Sequence, residues 1–304
     1  GPIDEVYCQS FRRVVEIVAQ AAESARVLVV NSALSKVTRQ LSDALDAFTT
    51  DTARQPDVLA GLIDSLRKRH RAQAAQVLTP AGQMRYASVV EKRLARLREA
   101  FEQVERDGFS PARRDAILAT GEQLAVPMVA LALEDAGLEA PQGDATRLLR
   151  TDDTFGEAVV DRAATATLLR DWYGRLASAA VPVVAGFIGG TADGRTTTLG
   201  FEGSDYSAAL FAAILGADVL IRYTDVDGLY TRDPRTHEDA ERIDRISMEK
   251  AFALTESGRL GMHPKTLRPL VEAGIPLHIR SIDAPDAPGT QIVPAEQLVS
   301  SRSK

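Results

Sequence analysis

Short apolar strands alternate with helices in the second half of this chain, and this alternation restricts the fold more than any other feature. Strands are predicted at residues 181–187, 196–199, 218–223 and 276–280, and helices at residues 206–215, 248–257 and 265–273. A strand that is apolar on both faces must be covered on both sides, which is typical of a parallel sheet packed between helices. The sequence therefore predicts an α/β fold with a mainly parallel central sheet.

The first half of the chain is predicted to be mostly helical. Residues 10–24 carry apolar side chains at helical spacing, and residues 26–31 (Arg-Val-Leu-Val-Val-Asn) are expected to form a short buried strand. Residues 37–136 are rich in Ala, Leu, Arg, Glu and Gln, which favour several helices. The basic run at residues 67–71 is interpreted as a solvated helix face rather than a phosphate site.

Composition excludes several classes of protein. The chain has 304 residues, a net charge of −6 and one cysteine, Cys8, which cannot form an intramolecular disulfide. A mildly acidic chain lacks the excess of cations that general nucleic-acid binding requires. The apolar runs at residues 177–188 and 208–217 are shorter than the roughly 18 to 20 residues of a membrane-spanning helix. We therefore expect a cytoplasmic protein that binds neither nucleic acid nor membranes.

Two glycine-containing turns that follow predicted strands are candidates for contact with a ligand. Residues 186–190 would allow the backbone to approach a ligand closely, although a tight turn between strands is the more frequent reason for such glycines. Residues 199–209 join a strand to a helix of small residues, with Ser204 and Asp205 at the predicted helix start. Backbone N–H groups at a helix N-terminus can bind an anion; alternatively, the two side chains simply cap the helix.

A third turn, at residues 223–235, has the composition of a nucleotide site. It places Asp225 and Asp227 after a predicted strand, together with Tyr230 and Arg235. Open α/β sheets bind ligands at the carboxyl ends of their strands, so these groups could contact a nucleotide. The pairs Asp-Gly and Asp-Pro within this stretch also occur in ordinary turns.

Taken together, the order and spacing of the three turns resemble the amino acid kinase family, and specifically the catalytic domain of aspartokinases. The most specific strings are Gly-Ser-Asp-Tyr-Ser-Ala-Ala at residues 203–209 and the twelve residues 224–235, and further matches occur at residues 31–38, 121–122, 258–266 and 273–290. The resemblance implies one domain with the three-layer α/β/α sandwich of the amino acid kinase (carbamate kinase-like) type. The lobe that binds the acceptor would cover about residues 1–200, and the lobe that binds ATP would cover about residues 201–295. Residues 296–304 would form a tail.

The same resemblance implies a function and a set of site residues. The reaction would be ATP-dependent phosphorylation of the carboxylate of aspartate or a related amino acid to an acyl phosphate, with Mg²⁺ held mostly by ATP and water rather than by a protein metal site. Ser32 and Asp205 would be the catalytic residues, and Glu122 would hold the substrate ammonium. The other implied substrate contacts are Thr38, Phe187, Phe201 and Ser204, and the implied nucleotide contacts are Thr224, Asp225, Tyr230, Asp233, Arg235 and Arg259.

The sequence departs from the aspartokinase pattern at positively charged positions. The family string Leu-Gly-Arg-Gly-Gly-Ser-Asp reads Leu-Gly-Phe-Glu-Gly-Ser-Asp here, so Phe201 replaces the arginine that binds a substrate carboxylate. Thr120 and Leu260 replace an arginine and a lysine, and Arg259 lies one position from the latter. The family strand ending in Lys-Phe-Gly-Gly-Thr-Ser falls before Gly1. Because phosphoryl transfer depends on such charges, two alternatives stay open: a non-catalytic binding or scaffold subunit, and a kinase with a different acceptor.

The resemblance also carries expectations about assembly and regulation. Family members commonly pair through the catalytic domain, so a homodimer is expected. Aspartokinases continue beyond the match at residues 289–290 into regulatory domains, so feedback regulation in cis by lysine or threonine is not expected.

Overall fold

In a computed structural model of the protein, residues 3–232, 236–258, 260 and 262–299 are described, with the backbone alone for residues 3–10, 52 and 299. The chain divides into two compact units, Gly1–Ser204 and Asp205–Lys304. Three predicted nucleotide contacts, Asp233, Arg235 and Arg259, lie outside the described residues, as do the side chain of Cys8 and residues 300–304.

The first half of unit 1 is a set of packed helices, as the sequence predicts. Its elements are α1 (Ile3–Ala22), β1 (Val29–Asn31), α2 (Val37–Thr50), a 3₁₀ turn (Thr52–Arg54), α3 (Gln55–Val77), α4 (Pro80–Asp107), α5 (Pro111–Leu118) and α6 (Thr120–Asp135). Local sequence explains where two of these helices begin. The side chains of Thr79 and Ser110 cap α4 and α5 by accepting a backbone hydrogen bond, and a proline occupies the first turn of each helix.

Helices α2, α3 and α4 share an apolar core. Leu41 and Leu45 on α2, Leu66 on α3 and Leu97 on α4 are all buried within it. Their burial follows the helical spacing of apolar residues, since every third or fourth side chain faces the same side.

The interpretation of residues 67–71 as a solvated face is correct for the arginines and wrong for His70. Arg67 and Arg71 reach the surface and pair with Glu91. The His70 ring is fully buried, because its position on α3 points into the core rather than away from it. A run of basic residues in the sequence does not show that one of them, His70, faces the opposite side of the helix.

Helices α5 and α6 together include a long apolar segment. Among the described residues, the one segment long and apolar enough to cross a membrane by composition is Pro111–Asp135, and 89% of its most apolar window is buried inside the fold. It contains an apolar run at residues 124–133 that the sequence analysis did not consider. Core helices of globular proteins have the same composition, and the burial of this segment identifies it as one of them.

The rest of unit 1 supplies strands and short helices. They are β2 (Gln142–Gly143), α7 (Ala145–Leu148), α8 (Arg162–Gly174), β3 (Val183–Ala185), β4 (Ile188–Gly190) and β5 (Thr196–Thr198). Strand β3 lies between β1 and β2 and pairs with both in parallel, whereas β4 and β5 form an antiparallel pair. The predicted strands at residues 26–31, 181–187 and 196–199 are confirmed, with shorter bounds.

Unit 2 is a sheet with helices, and its main elements match the prediction. The elements are α9 (Gly203–Leu215), whose first two residues belong to unit 1, β6 (Leu220–Thr224), β7 (Leu229–Tyr230), β8 (Arg242–Ile243), β9 (Arg245–Ser247), α10 (Met248–Glu256), α11 (Pro264–Ala273), β10 (Leu277–Ser281), β11 (Thr290–Val293) and α12 (Ala295–Val299). The sheet order is β6-β10-β11-β9, with β10 parallel to β6 and antiparallel to β11. Both units therefore combine helices with parallel strand pairs, as an α/β fold requires.

Candidate active site

The loop after β1 and the start of α9 meet at a pair of serines. The Oγ atom of Ser204 donates a hydrogen bond to the Oγ atom of Ser32 at 3.2 Å. Gly186, just after β3, makes this approach possible, because a Cβ atom there would lie 2.7 Å from the Cα atom of Ser204. The backbone N–H of Gly186 also donates to the carbonyl of Asn31. Two of the three predicted glycine turns are thus brought together around Ser32 and Ser204.

Glu122, in the first turn of α6, is a buried carboxylate beside this pair. Only 1% of the surface of Glu122 is exposed, and its Oε1 atom accepts a hydrogen bond from the backbone N–H of Ala33 at 3.2 Å. Its Oε2 atom is buried and has no hydrogen-bond partner in the described part of the chain. Burial raises the pKa of Glu122 to about 7. A buried, unpartnered carboxylate oxygen is suited to receive a hydrogen-bond donor, above all a cation.

Close packing holds Glu122 against the loop that carries Ser32. A Cβ atom on Gly121 would lie 2.8 Å from the Cβ atom of Ala33, so α6 can approach this loop only with glycine at that position. The loop therefore has Ser32 and Ala33 fixed by separate contacts, one from α9 and one from α6.

A surface cleft of about 460 Å³ in unit 1 contains three of the predicted substrate contacts. Thr38 contributes from the first turns of α2, Phe187 from the turn after β3 and Phe201 from the turn after β5. Phe201 is 72% exposed, so it forms an open edge of the cleft and contributes no charge. The cleft is thus partly aromatic and open to solvent.

Asp115 on α5 is a functional candidate that the sequence analysis missed. It is fully buried, and its Oδ2 atom accepts hydrogen bonds from the backbone N–H groups of Gly156 at 2.8 Å and Thr198 at 2.7 Å. Its Oδ1 atom accepts a third hydrogen bond from the Thr198 hydroxyl. Burial raises the pKa of Asp115, and these hydrogen bonds oppose that effect. Because Gly156 and Thr198 both line the cleft, Asp115 fixes the shape of its wall.

Backbone strain is concentrated in the turns around these groups. Among the described residues, the non-glycine residues with positive φ are Lys36 (64°), Phe187 (65°) and Glu202 (54°). Lys36 precedes α2, Phe187 follows Gly186, and Glu202 lies two residues before Ser204. Such conformations cost about 1 kcal/mol or more each, and they tend to cluster at functional sites.

In unit 2, Asp205 pairs with a cation that the sequence analysis did not single out. Its Oδ2 atom lies 3.1 Å from a guanidinium nitrogen of Arg222 on β6. Asp205 is in the first turn of α9, where the helix dipole favours a negative charge. The ion pair and the helix dipole both interact favourably with this carboxylate, and the ion pair orients it.

The third predicted turn follows β6 and is held by its own side chains. The Thr224 hydroxyl donates to Asp225 at 3.0 Å, and the Tyr230 hydroxyl donates to Asp227 at 2.8 Å. Arg242 lies 3.3 Å from the same Asp227 carboxylate. The hydrogen bond to Asp227 is the main cause that raises the pKa of Tyr230. The turn leaves the carboxyl end of β6, which is parallel to β10, as ligand sites in α/β sheets do.

Comparison with known proteins identifies the class to which this fold and these turns belong. A model of the amino acid kinase family matches residues 4–281, and the chain belongs to this family. Lysine-sensitive aspartokinase 3 of Escherichia coli K12 is 36% identical over 212 residues, which are 69% of this chain and 47% of that protein. The aspartokinase of Chlamydia trachomatis is 33% identical over 90% of this chain and 58% of that protein. The chain thus spans about half the length of these two relatives.

Solved structures show the same relationship. The crystal structure of E. coli aspartokinase III in complex with aspartate and ADP (R-state) has a TM-score of 0.82 and 32% identity, and the match covers 93% of this chain and 61% of that chain. The aspartate kinase of Clostridium acetobutylicum, at 23% identity and a TM-score of 0.71, shares the fold. The resemblance to aspartokinase catalytic domains and the predicted α/β/α sandwich are confirmed.

Proposed function

We propose that this protein is a kinase that phosphorylates a carboxylate of an amino acid at the expense of ATP, with aspartate as the first acceptor to test. The observation that carries the proposal is the buried Oε2 atom of Glu122, which has no partner in the described chain and lies in the helix turn packed against the Ser32 loop. The E. coli relative that was crystallised with aspartate and ADP supports this choice of substrates.

In this proposal the side chains of unit 1 position the acceptor. Glu122 binds the substrate ammonium, which supplies the donor that Oε2 lacks. Ser32 and Ser204 lie near the reacting carboxylate, together with Thr38, Phe187 and Phe201 along the cleft. Little covalent chemistry is required of the protein in phosphoryl transfer, so these contacts act by orientation and by charge.

The turn after β6 fits the nucleoside part of a nucleotide. Thr224 and Asp225 offer hydroxyl and carboxylate groups, and Tyr230 offers an aromatic ring whose hydroxyl is already fixed by Asp227. We assign Asp233, Arg235 and Arg259 to the phosphates on the resemblance alone. ATP supplies the phosphoryl group and carries most of the contacts of Mg²⁺, which gives up its water reluctantly. Asp205, held by Arg222, is assigned to the reacting carboxylate.

A related amino acid is the second candidate acceptor. Phe201 is 72% exposed and cannot form the bidentate contact that an arginine makes with a carboxylate. On the resemblance we also propose a homodimer in which unit 1 binds the acceptor and unit 2 binds ATP. Light scattering tests this assembly.

The proposal is tested by isothermal titration with MgATP, followed by an ADP-release assay with aspartate and trapping of the acyl phosphate by hydroxylamine. We expect binding of MgATP and aspartate-dependent formation of both ADP and the hydroxamate. Binding of MgATP with turnover on another amino acid would identify the second candidate. Absence of MgATP binding would overturn the proposal in favour of a non-catalytic homologue.

A further inference from the structure

Two arginines in the cleft of unit 1 have no role in the proposed function so far. Arg39 on α2 and Arg114 on α5 both line the cleft. Neither guanidinium has a hydrogen bond or a close ion pair to any residue that the structure describes; at longer range, the charge of Arg114 acts on the neighbouring Asp115 carboxylate. The neighbouring Arg113, by contrast, pairs with Asp107 and donates to the carbonyl of Gly108. Unpaired guanidinium groups at a cleft are available to a ligand.

The charges of the cleft favour an anionic group. Arg39 and Arg114 face one carboxylate in the lining, Asp43, which lies one turn after Arg39 on α2. The Asp115 carboxylate behind the wall already accepts three hydrogen bonds from Gly156 and Thr198. The lining therefore has an excess of one positive charge. Guanidinium groups recognise carboxylates by parallel hydrogen bonds, which a lysine does not reproduce.

The segment of α5 that carries Arg114 is anchored to the wall of the cleft. The adjacent Asp115 ties α5 to the loop at Gly156 and to β5 at Thr198. Gly156 has a φ of +92°, and a Cβ atom there would lie 4.0 Å from the Nη1 atom of Arg114. One guanidinium nitrogen of Arg114 thus lies next to the backbone of Gly156 in the wall of the cleft.

The cleft adjoins the serine pair through Phe187. A Cβ atom on Gly203 would lie 2.8 Å from the Cδ2 atom of Phe187, and Gly203 immediately precedes Ser204. Phe187 also lines the cleft. The Phe187 ring is therefore shared by the cleft and by the residue that precedes Ser204.

We propose that Arg39 and Arg114 bind the carboxylate of the acceptor that is not phosphorylated, in place of the arginine missing at position 201. The acceptor is then a dicarboxylic amino acid, bound by its ammonium at Glu122 and by its second carboxylate in the cleft. This inference rests on the proposed function and assigns two specificity-determining residues to it.

The test compares L-aspartate with its α-amide, isoasparagine, which keeps the ammonium and the reacting side-chain carboxylate but loses the other charge. In the native protein we expect kcat/KM for aspartate to exceed that for isoasparagine by about tenfold or more. In the Arg39→Gln/Arg114→Gln double variant we expect this ratio to fall to about 1 to 3 through KM, with kcat for isoasparagine little changed. Arg98→Gln, at an exposed position on α4, is the matched control and should keep the native ratio.

Direct titration with aspartate gives a readout that does not depend on turnover, and an unchanged affinity for MgATP shows that the variant is folded. If the Arg39→Gln/Arg114→Gln variant does not fold, Arg39→Lys/Arg114→Lys replaces it. The lysines keep the positive charges but cannot form the parallel hydrogen bonds of a guanidinium group, so the aspartate to isoasparagine ratio should fall at least about threefold. An unchanged ratio in a folded variant would overturn the inference while leaving the proposed function intact. A native protein that binds MgATP but neither binds nor phosphorylates aspartate would overturn the inference and leave a related amino acid as the acceptor of the proposed function, whereas absence of MgATP binding would remove both.

Discussion

The backbone N–H of Ala33 donates a hydrogen bond of 3.2 Å to one carboxylate oxygen of Glu122, whose other oxygen is buried and has no partner in the described chain. Burial raises the pKa of this carboxyl group to about 7, so it is partly protonated at neutral pH. In the proposed function this group binds the substrate ammonium, so its titration in this range makes binding depend on pH. The Glu122 carboxyl group is fully ionised only when a cation is bound to it or when the pH is well above 7.

Substrate affinity is therefore expected to fall on acidification. With a pKa of about 7, the ionised fraction of Glu122 drops about tenfold between pH 8 and pH 6, and KM for the amino acid should rise by a similar factor. Glu122→Gln should raise KM at pH 8 and abolish this pH dependence. Initial rates at saturating MgATP measure both effects, and a pH profile shared by the native protein and the variant would exclude Glu122 as the ammonium ligand.

The same carboxyl group should reduce folding stability as the pH rises. Its folded pKa of about 7 lies above the value of 4.5 in the unfolded chain, so the unfolded state releases the proton first. Between pH 4.5 and pH 7 the free energy of unfolding should fall by about 3 kcal/mol on this account, and the loss should be complete above pH 7. Urea titrations of the native protein and of Glu122→Gln, which lacks this loss, measure the difference.

Gly186→Ala should reduce activity more than it reduces stability. The added Cβ atom would lie 2.7 Å from the Cα atom of Ser204, so the start of α9 must move and the Ser32–Ser204 hydrogen bond must break. We expect kcat/KM to fall at least about tenfold, because small displacements of positioned groups are costly in catalysis. Gly61→Ala is the control: nothing lies within 4 Å of its Cβ position on α3, so stability should rise by about 0.5 to 1 kcal/mol with activity unchanged.

Asp115→Ala should destabilise the protein by about 3 kcal/mol, because three buried donors on Gly156 and Thr198 lose their acceptor. Asp115→Asn should cost about 1 kcal/mol, since an amide oxygen can accept the two backbone bonds and its NH₂ group can donate to the Thr198 hydroxyl. Urea unfolding at pH 7 tests this order. Equal losses in the two variants would mean that the hydrogen bonds of Asp115 do not support the wall of the cleft.

His70 should make the protein less stable in acid. Burial lowers the pKa of this histidine from 6.5 to about 4, so the unfolded chain gains a proton first as the pH falls. On this account the free energy of unfolding should have its full value above pH 6.5 and should be about 2 kcal/mol lower at pH 5. His70→Leu should remove this decline, whereas the same substitution at the exposed His237 should leave it in place. The measurement is the free energy of unfolding in urea at pH 5 and at a pH above 6.5.

Long periodic segments were predictable from sequence because their signal is local. The helices at residues 206–215 and 265–273 and the strands β6 and β10 appear where the apolar pattern and the flanking glycines place them. The pairing of β7 with β8 was not predicted, since each strand has two residues and the partners lie 12 and 14 residues apart along the chain. Strand β11 was missed because its four residues carry no clear alternation.

The candidate site was only partly predictable, for a related reason. Ser32, Glu122 and Ser204 were found through motifs, and the structure brings Ser32 and Ser204 into contact. Asp115 escaped notice because its partners lie 41 and 83 residues away along the chain, and a single aspartate in a helix looks like a solvated residue. Arg39 and Arg114 escaped notice because no motif contains them.

The apolar surface of α6 affects folding during synthesis and aggregation on heating. This helix packs against α4, which precedes it, and against β3, which begins only at Val183. During synthesis its surface therefore stays open to neighbouring chains until the later strand has emerged, and heating exposes the same surface again. We expect aggregation to compete with refolding at this segment, so that the working lifetime of the protein at high temperature is set by a rate rather than by an equilibrium.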